Sequence, residues 1–197
     1  MGFYGELVFG RSQGSLLQAP VFGSAEARRE RDIAQWRRAE GWQTVQVAAN
    51  VLREEPAQVL QEVVAWTGAP ACVVSVADSD YALLQGLAVS GEKWDTWLNL
   101  DIAAAMLAEV PADVEDTSVW YASPQAEQAE DRKLKVLDAQ VPTDARRALA
   151  WAQAAGYGAD VSVARVERAL RARSTFVEDL LDPILDELGF PTAAPRC

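Results

Sequence analysis

The chain has 197 residues, half of them hydrophobic and 24 % charged, with a net charge of −11 and no histidine. Such a composition belongs to a folded domain rather than a disordered segment. The missing imidazole excludes Ser-His-Asp and Cys-His nucleophiles, a histidine general base and histidine metal sites.

Phe3 to Phe9 alternates as a strand, with Phe3, Leu7 and Phe9 on one face and Tyr4, Glu6 and Val8 on the other. Gly10 to Gly23 is turn-rich. Ala25 to Glu40 reads as a charged surface helix with a thin apolar stripe at Ile33 and Trp36. Trp42 to Val51 reads as a second strand. Pro56 opens a helix whose core face is Val59, Leu60, Val63 and Val64, and Gly68 caps it. Three strands follow, Ala71 to Ala77, Tyr81 to Val89 and Lys93 to Leu100, joined by Asp78-Ser79-Asp80 and Ser90-Gly91 as an antiparallel meander. Asp101 to Val110 reads as a short helix and Thr117 to Ala122 as a further strand.

Beyond Pro124 the pattern turns helical. Residues 125–142 read as a polar linker or weak helix, followed by helices over Asp144–Ala155, Val161–Ala172 and Phe176–Leu188. The last carries a stripe of Phe176, Val177, Leu180, Leu181, Ile184, Leu185 and Leu188, with Thr175 and Glu178 spaced as a capping box, Gly189 as its stop and Pro183 as a candidate kink. The expected fold class is α+β: a mainly antiparallel sheet with packed helices over 1–124, then a three-helix C-terminal unit over 143–190 and a loose tail over 191–197. The two parts are read as separate layers or as one domain overall.

The longest run without a charge, Val63 to Ala77, spans 15 residues and contains Gly68 and Pro70, short of the roughly 18 apolar residues a membrane span needs. The N-terminus lacks the layout of a signal peptide. Cys72 reads as a small buried hydrophobe and Cys197 as a tail residue, with no disulfide expected between them. These readings favour the cytoplasm, and the 15 arginines against 3 lysines point to GC-rich codons and a bacterial source.

Residues 78–131 hold twelve acids and one base, Lys93, so this segment carries the whole net charge. It also carries Trp94 and Trp97, which a strand must point to opposite faces. One of the two should therefore be less buried, and an exposed Trp among acids suits an interface hot spot. Asp78, Asp80, Trp94, Asp95, Trp97 and Asp101 are the candidate residues of such an acidic, aromatic face. Nucleic acid is not an expected partner, because a phosphate backbone needs a basic surface.

Cys72 to Asp80 is an apolar strand ending in Asp-x-Asp. This stretch resembles the metal-binding Asp-x-Asp of nucleotide-sugar glycosyltransferases and the nucleophile strand of haloacid-dehalogenase-like phosphatases. The resemblance covers nine residues, and Ala82 stands where the phosphatase pattern has Thr or Val. It implies an enzyme in which Asp78 and Asp80 hold Mg²⁺ or Mn²⁺ against a phosphorylated substrate. The plainer reading is a hairpin turn, which Asp and Ser favour.

The leading expectation is a non-enzymatic protein-binding module, of immunity or regulatory type, whose acidic face meets a basic protein surface. It needs no cofactor and no membrane. The alternatives are the carboxylate-dependent enzyme just described and a self-associating scaffold, a homodimer formed through the last helix.

Overall fold

The computed structural model describes residues 2–23, 33–49, 51, 52, 54–112, 114 and 116–194. Among these, β1 (Gly5–Arg11), β2 (Ile33–Arg37), β3 (Trp42–Ala48), β4 (Ala71–Ala77), β5 (Tyr81–Leu87) and β6 (Lys93–Leu98) form an antiparallel sheet in the order β2-β3-β1-β4-β5-β6. The helices are α1 (Pro56–Thr67), α2 (Leu100–Leu107), α3 (Thr117–Tyr121), α4 (Pro124–Ala154), α5 (Val163–Leu170) and α6 (Leu181–Glu187). The fold is α+β, with a helical C-terminal region packed on an antiparallel sheet.

The two-residue period of the strands divides the core. Leu7, Phe9, Trp42, Cys72, Val74, Leu84, Trp94 and Leu98 face the second half of α4, α5 and α6. Val8, Val45, Val47 and Val73 face α1 and the turn residues Leu16 and Phe22. In α1, Val59, Leu60 and Val63 are buried and Gly68 takes a left-handed conformation at φ 66°, as the apolar spacing and the glycine foretell. Burial pushes the Cys72 thiol far above its ordinary range, so it is an inert core residue.

Four elements differ from the sequence reading. The helix expected over Ala25–Glu40 is, where it is described, the strand β2 followed by a 3-10 turn at Ala39–Gly41: β2 pairs with β3, Ile33 opposite Val47 and Trp36 opposite Thr44. Ile33 and Trp36 pack on opposite sides of the sheet, as an odd spacing in a strand requires. Residues 25–32 of that expected helix lie outside the described residues, as do Asp113, Glu115 and Cys197. Thr117–Tyr121 is a helical turn rather than a strand, because the Asp116 carboxylate caps it by accepting from the Ser118 N–H and hydroxyl. Those two donors also lower the Asp116 pKa. Residues 125–142, read as a polar linker or a weak helix, are helical and run unbroken into the helix expected over Asp144–Ala155, together making the 31-residue α4, capped by Ser123 with Pro124 in its first turn.

The fourth difference lies at the C-terminal end. The Thr175–Glu178 capping box does not form: the residues from Val177 to Leu180 make a 3-10 turn without a side-chain cap, and Glu178 turns instead to Ser79. Pro183 falls in the first turn of α6, directly after the 3-10 turn, where proline is tolerated. The apolar stripe is consumed inside the chain. Val177, Leu180, Leu181, Ile184, Leu185 and Leu188 are buried, and only Phe176, 53 % exposed, reaches solvent. Each such burial contributes about 1.5–3 kcal/mol. No described helix is long and apolar enough to cross a membrane.

Candidate functional site

The six candidate residues of the acidic, aromatic face fall at three places. Asp78 and Asp80 flank the β4–β5 turn, closed by the Asp80 N–H on the Ala77 carbonyl at 3.0 Å. Asp78 and Ser79 both adopt positive φ, 53° and 60°, a conformation that suits Gly or Asn and strains Ser. Surrounding bonds hold it. The buried Ser79 hydroxyl accepts from the Phe3 N–H at 2.7 Å and donates to Glu178 Oε1 at 2.8 Å. The Ser79 carbonyl accepts from the Val177 N–H at 2.8 Å, and Asp78 Oδ1 accepts from the Gly2 N–H at 2.8 Å.

Asn99, also buried and left-handed, completes this clasp. Its Nδ2 donates to the Asp80 and Ser174 carbonyls at 2.6 and 2.8 Å, and its Oδ1 accepts from the Ser174 N–H at 3.1 Å. The Asp-x-Asp segment thus ties the N-terminal residues to the C-terminal helices. Among the described residues, no three His, Cys, Asp or Glu side chains gather as a metal-holding group. Asp101 lies in the first turn of α2 and pairs with Arg173 at 3.0 Å.

Trp94 is 3 % exposed and belongs to the core. Its indole lies against Gly86 on β5, where a Cβ would stand 2.0 Å from Nε1, and it meets Trp151 of α4 at 5.6 Å between ring centroids. Trp97, on the other face, is half-buried against Tyr81 at 6.0 Å. The two tryptophans lie on opposite faces as strand parity requires, but Trp94 is a core residue and not part of the expected face; Trp97 is the one that reaches the surface.

Asp95 and Trp97 line a cleft of about 430 Å³ along the outer edge of β6, with Thr96 and Leu100 beside them and Leu137, Gln140, Thr143, Asp144 and Arg147 of α4 opposite. A smaller cleft of about 200 Å³ continues it past Lys93 and Trp94, and Arg147 borders both. Asp144 is partly buried and its pKa is raised, first by that burial and then by the charge of Asp95, against the opposing bond from the Thr96 hydroxyl and the attraction of Arg147. Two carboxylates thus sit near one another at a polar cleft where one is already poorly solvated. Their arrangement favours a cation. The α4 contributors were not legible in the sequence, because their polarity reads equally well as a solvated helix face.

A roomier cleft of about 600 Å³ between residues 109–112 and the first half of α4 sets Glu109 against Arg132 and Lys133, so its lining is basic and offers no acidic face. A scan against protein-family models finds no match, and neither the curated proteins nor the solved structures yield one.

Proposed function

We propose that this chain is a non-enzymatic protein-binding module, of regulatory or partner-neutralising type, that receives a basic protein surface at the β6 edge. The observation that carries this reading is the pair Asp95 and Asp144 at the open cleft, where a Lys or Arg would relieve the cost of a half-buried carboxylate beside another. The absence of histidine from the sequence supports it. The engagement of Asp78 and Ser79 in holding the two ends of the chain together weakens the metal-enzyme alternative. The burial of the last helix's stripe within the chain weakens the scaffold alternative. A reducing cytoplasm suits the free, inert Cys72.

The test is selection of a random displayed peptide library on the immobilised protein. Enriched sequences should be rich in Lys and Arg, their affinity should fall with added salt, and the double substitution Asp95→Asn, Asp144→Asn should weaken them at least tenfold. Enrichment of neutral sequences indifferent to salt and to both substitutions would remove the reading.

A further inference from the structure

We infer that β6 accepts an added β-strand: an extended segment of the basic partner pairs with the outer edge of β6 and places a Lys or Arg opposite Thr96, on the α4 side, within reach of Asp144. This inference rests on the protein-binding reading and adds the mode of recognition. Three observations carry it.

The first is the hydrogen-bonding parity of β6. The Ala88 N–H donates to the Glu92 carbonyl at 2.9 Å, and the register continues as Gly86 opposite Trp94 and Leu84 opposite Thr96. Hydrogen-bonded and non-hydrogen-bonded pairs alternate in an antiparallel ladder. Trp94, Thr96 and Leu98 therefore bond inward to β5, and the N–H and C=O of Lys93, Asp95 and Trp97 point outward. Among the described strands β6 pairs with β5 alone.

The second is the contrast between the two ends of the sheet. At β2 the chain covers its own edge: the Ala194 N–H donates to the Arg37 carbonyl at 2.8 Å, and Arg38 bridges Ala193. At β6 the edge borders the clefts of about 430 and 200 Å³ instead. A row of unpaired backbone groups beside such space is a template for strand addition.

The third is charge. An added strand's side chains alternate between faces, so the residue opposite Thr96 rises toward α4, where Thr96 and Asp144 line the same cleft. The neighbouring residue lies opposite Asp95 on the other face, where a second base forms a cross-strand pair of opposite charge. An apolar or acidic strand would leave both carboxylates as they are; a basic one engages each.

The experiment uses an acetylated heptapeptide of Val with two adjacent Lys at its centre, so that one Lys falls on each face, and two versions of it, each N-methylated on the alternate amides of one edge. Strand addition uses one edge of the peptide only. One methylated version should lose at least tenfold in affinity and the other should stay within twofold of the parent, while charge is identical in all three. Hydrogen exchange should then show the amides of Asp95 and Trp97 newly protected by the parent peptide. Equal binding of all three peptides, or protection elsewhere, overturns strand addition but leaves a basic-partner module standing. Failure of the heptapeptide to bind while library-selected basic peptides do bind also overturns it. Failure of every basic peptide removes both readings.

Discussion

Glu6 and Ser75 face each other across β1 and β4, and each keeps a buried oxygen, Oε2 and Oγ, without a hydrogen-bond partner. Burial alone raises the Glu6 pKa above its ordinary value of 4.5. The sign of the pH dependence follows. A carboxyl whose folded pKa is raised contributes stability below its unfolded value, and that contribution is lost as pH rises through the folded value. At neutral pH the ionised Glu6 therefore works against the fold. Glu6→Gln keeps the shape and drops the charge, so it should raise the melting temperature at pH 7, with the gain vanishing as pH falls toward about 4. Thermal scans at both pH values decide it; a variant that melts lower than the parent at pH 7 would show that the carboxylate has a stabilising partner. Strand alternation places Glu6 on the face opposite Leu7 and Phe9, but no pattern in one strand reveals how deeply its neighbours bury it.

Among the elements, α4 shows how a local signal misleads and what tertiary structure does with it. Polarity makes residues 125–142 read as a linker or a weak helix, and Pro142 at its end has no N–H to give the carbonyl four residues back. Here that carbonyl belongs to Asp138, and Arg171 beyond α5 takes it: Nη2 reaches the Asp138 carbonyl at 3.3 Å while Nε holds the Asp138 carboxylate at 2.6 Å. The helix runs through its proline with a side chain standing in for the lost backbone donor. Arg171→Ala should therefore cost more in the parent than in a Pro142→Ala background, where the helix supplies its own N–H. A coupling of about 1 kcal/mol is the scale of one such bond. Urea unfolding of the four proteins measures it, and equal costs in both backgrounds would mean that Arg171 serves only the Asp138 carboxylate. The same override explains β2, where Ala, Gln and Arg favour a helix but pairing with β3 and burial of Trp36 win. Where periodicity is strong and its partners are close in sequence, as in α1 and the β4–β5–β6 meander, the local pattern and the fold agree.

At the scale of the whole molecule, the division at residue 124 separates layers of one core. The face of the sheet carrying Phe9, Trp42 and Cys72 shares its apolar cluster with Val141, Trp151, Leu170, Leu181 and Phe190, so this face of the sheet and the C-terminal helices bury each other. Polar contacts bind them as well. Arg38, its side chain fully buried, reaches Asp182 Oδ1 at 2.7 Å, Asp186 Oδ1 at 2.5 Å and the Pro191 carbonyl at 2.7 Å, while Trp36 Nε1 donates to Asp182 at 3.2 Å. Ser79 and Asn99 hold the segment from Ser174 to Glu178 at the far end of the same sheet. Sequence reveals the acids of α6 but not this partner, because nearer arginines lie on and just after α5 while Arg38 lies 144 residues away from Asp182. Removing one member of a buried ion pair leaves a desolvated charge and costs about 3–5 kcal/mol. Arg38→Ala should consequently lower the melting point of the whole chain, with helix content by circular dichroism and tryptophan fluorescence falling together in a single transition. If α6 instead detached first, fluorescence of the buried tryptophans would change before the bulk of the helix signal, and the two layers would be separate folding units joined through α4.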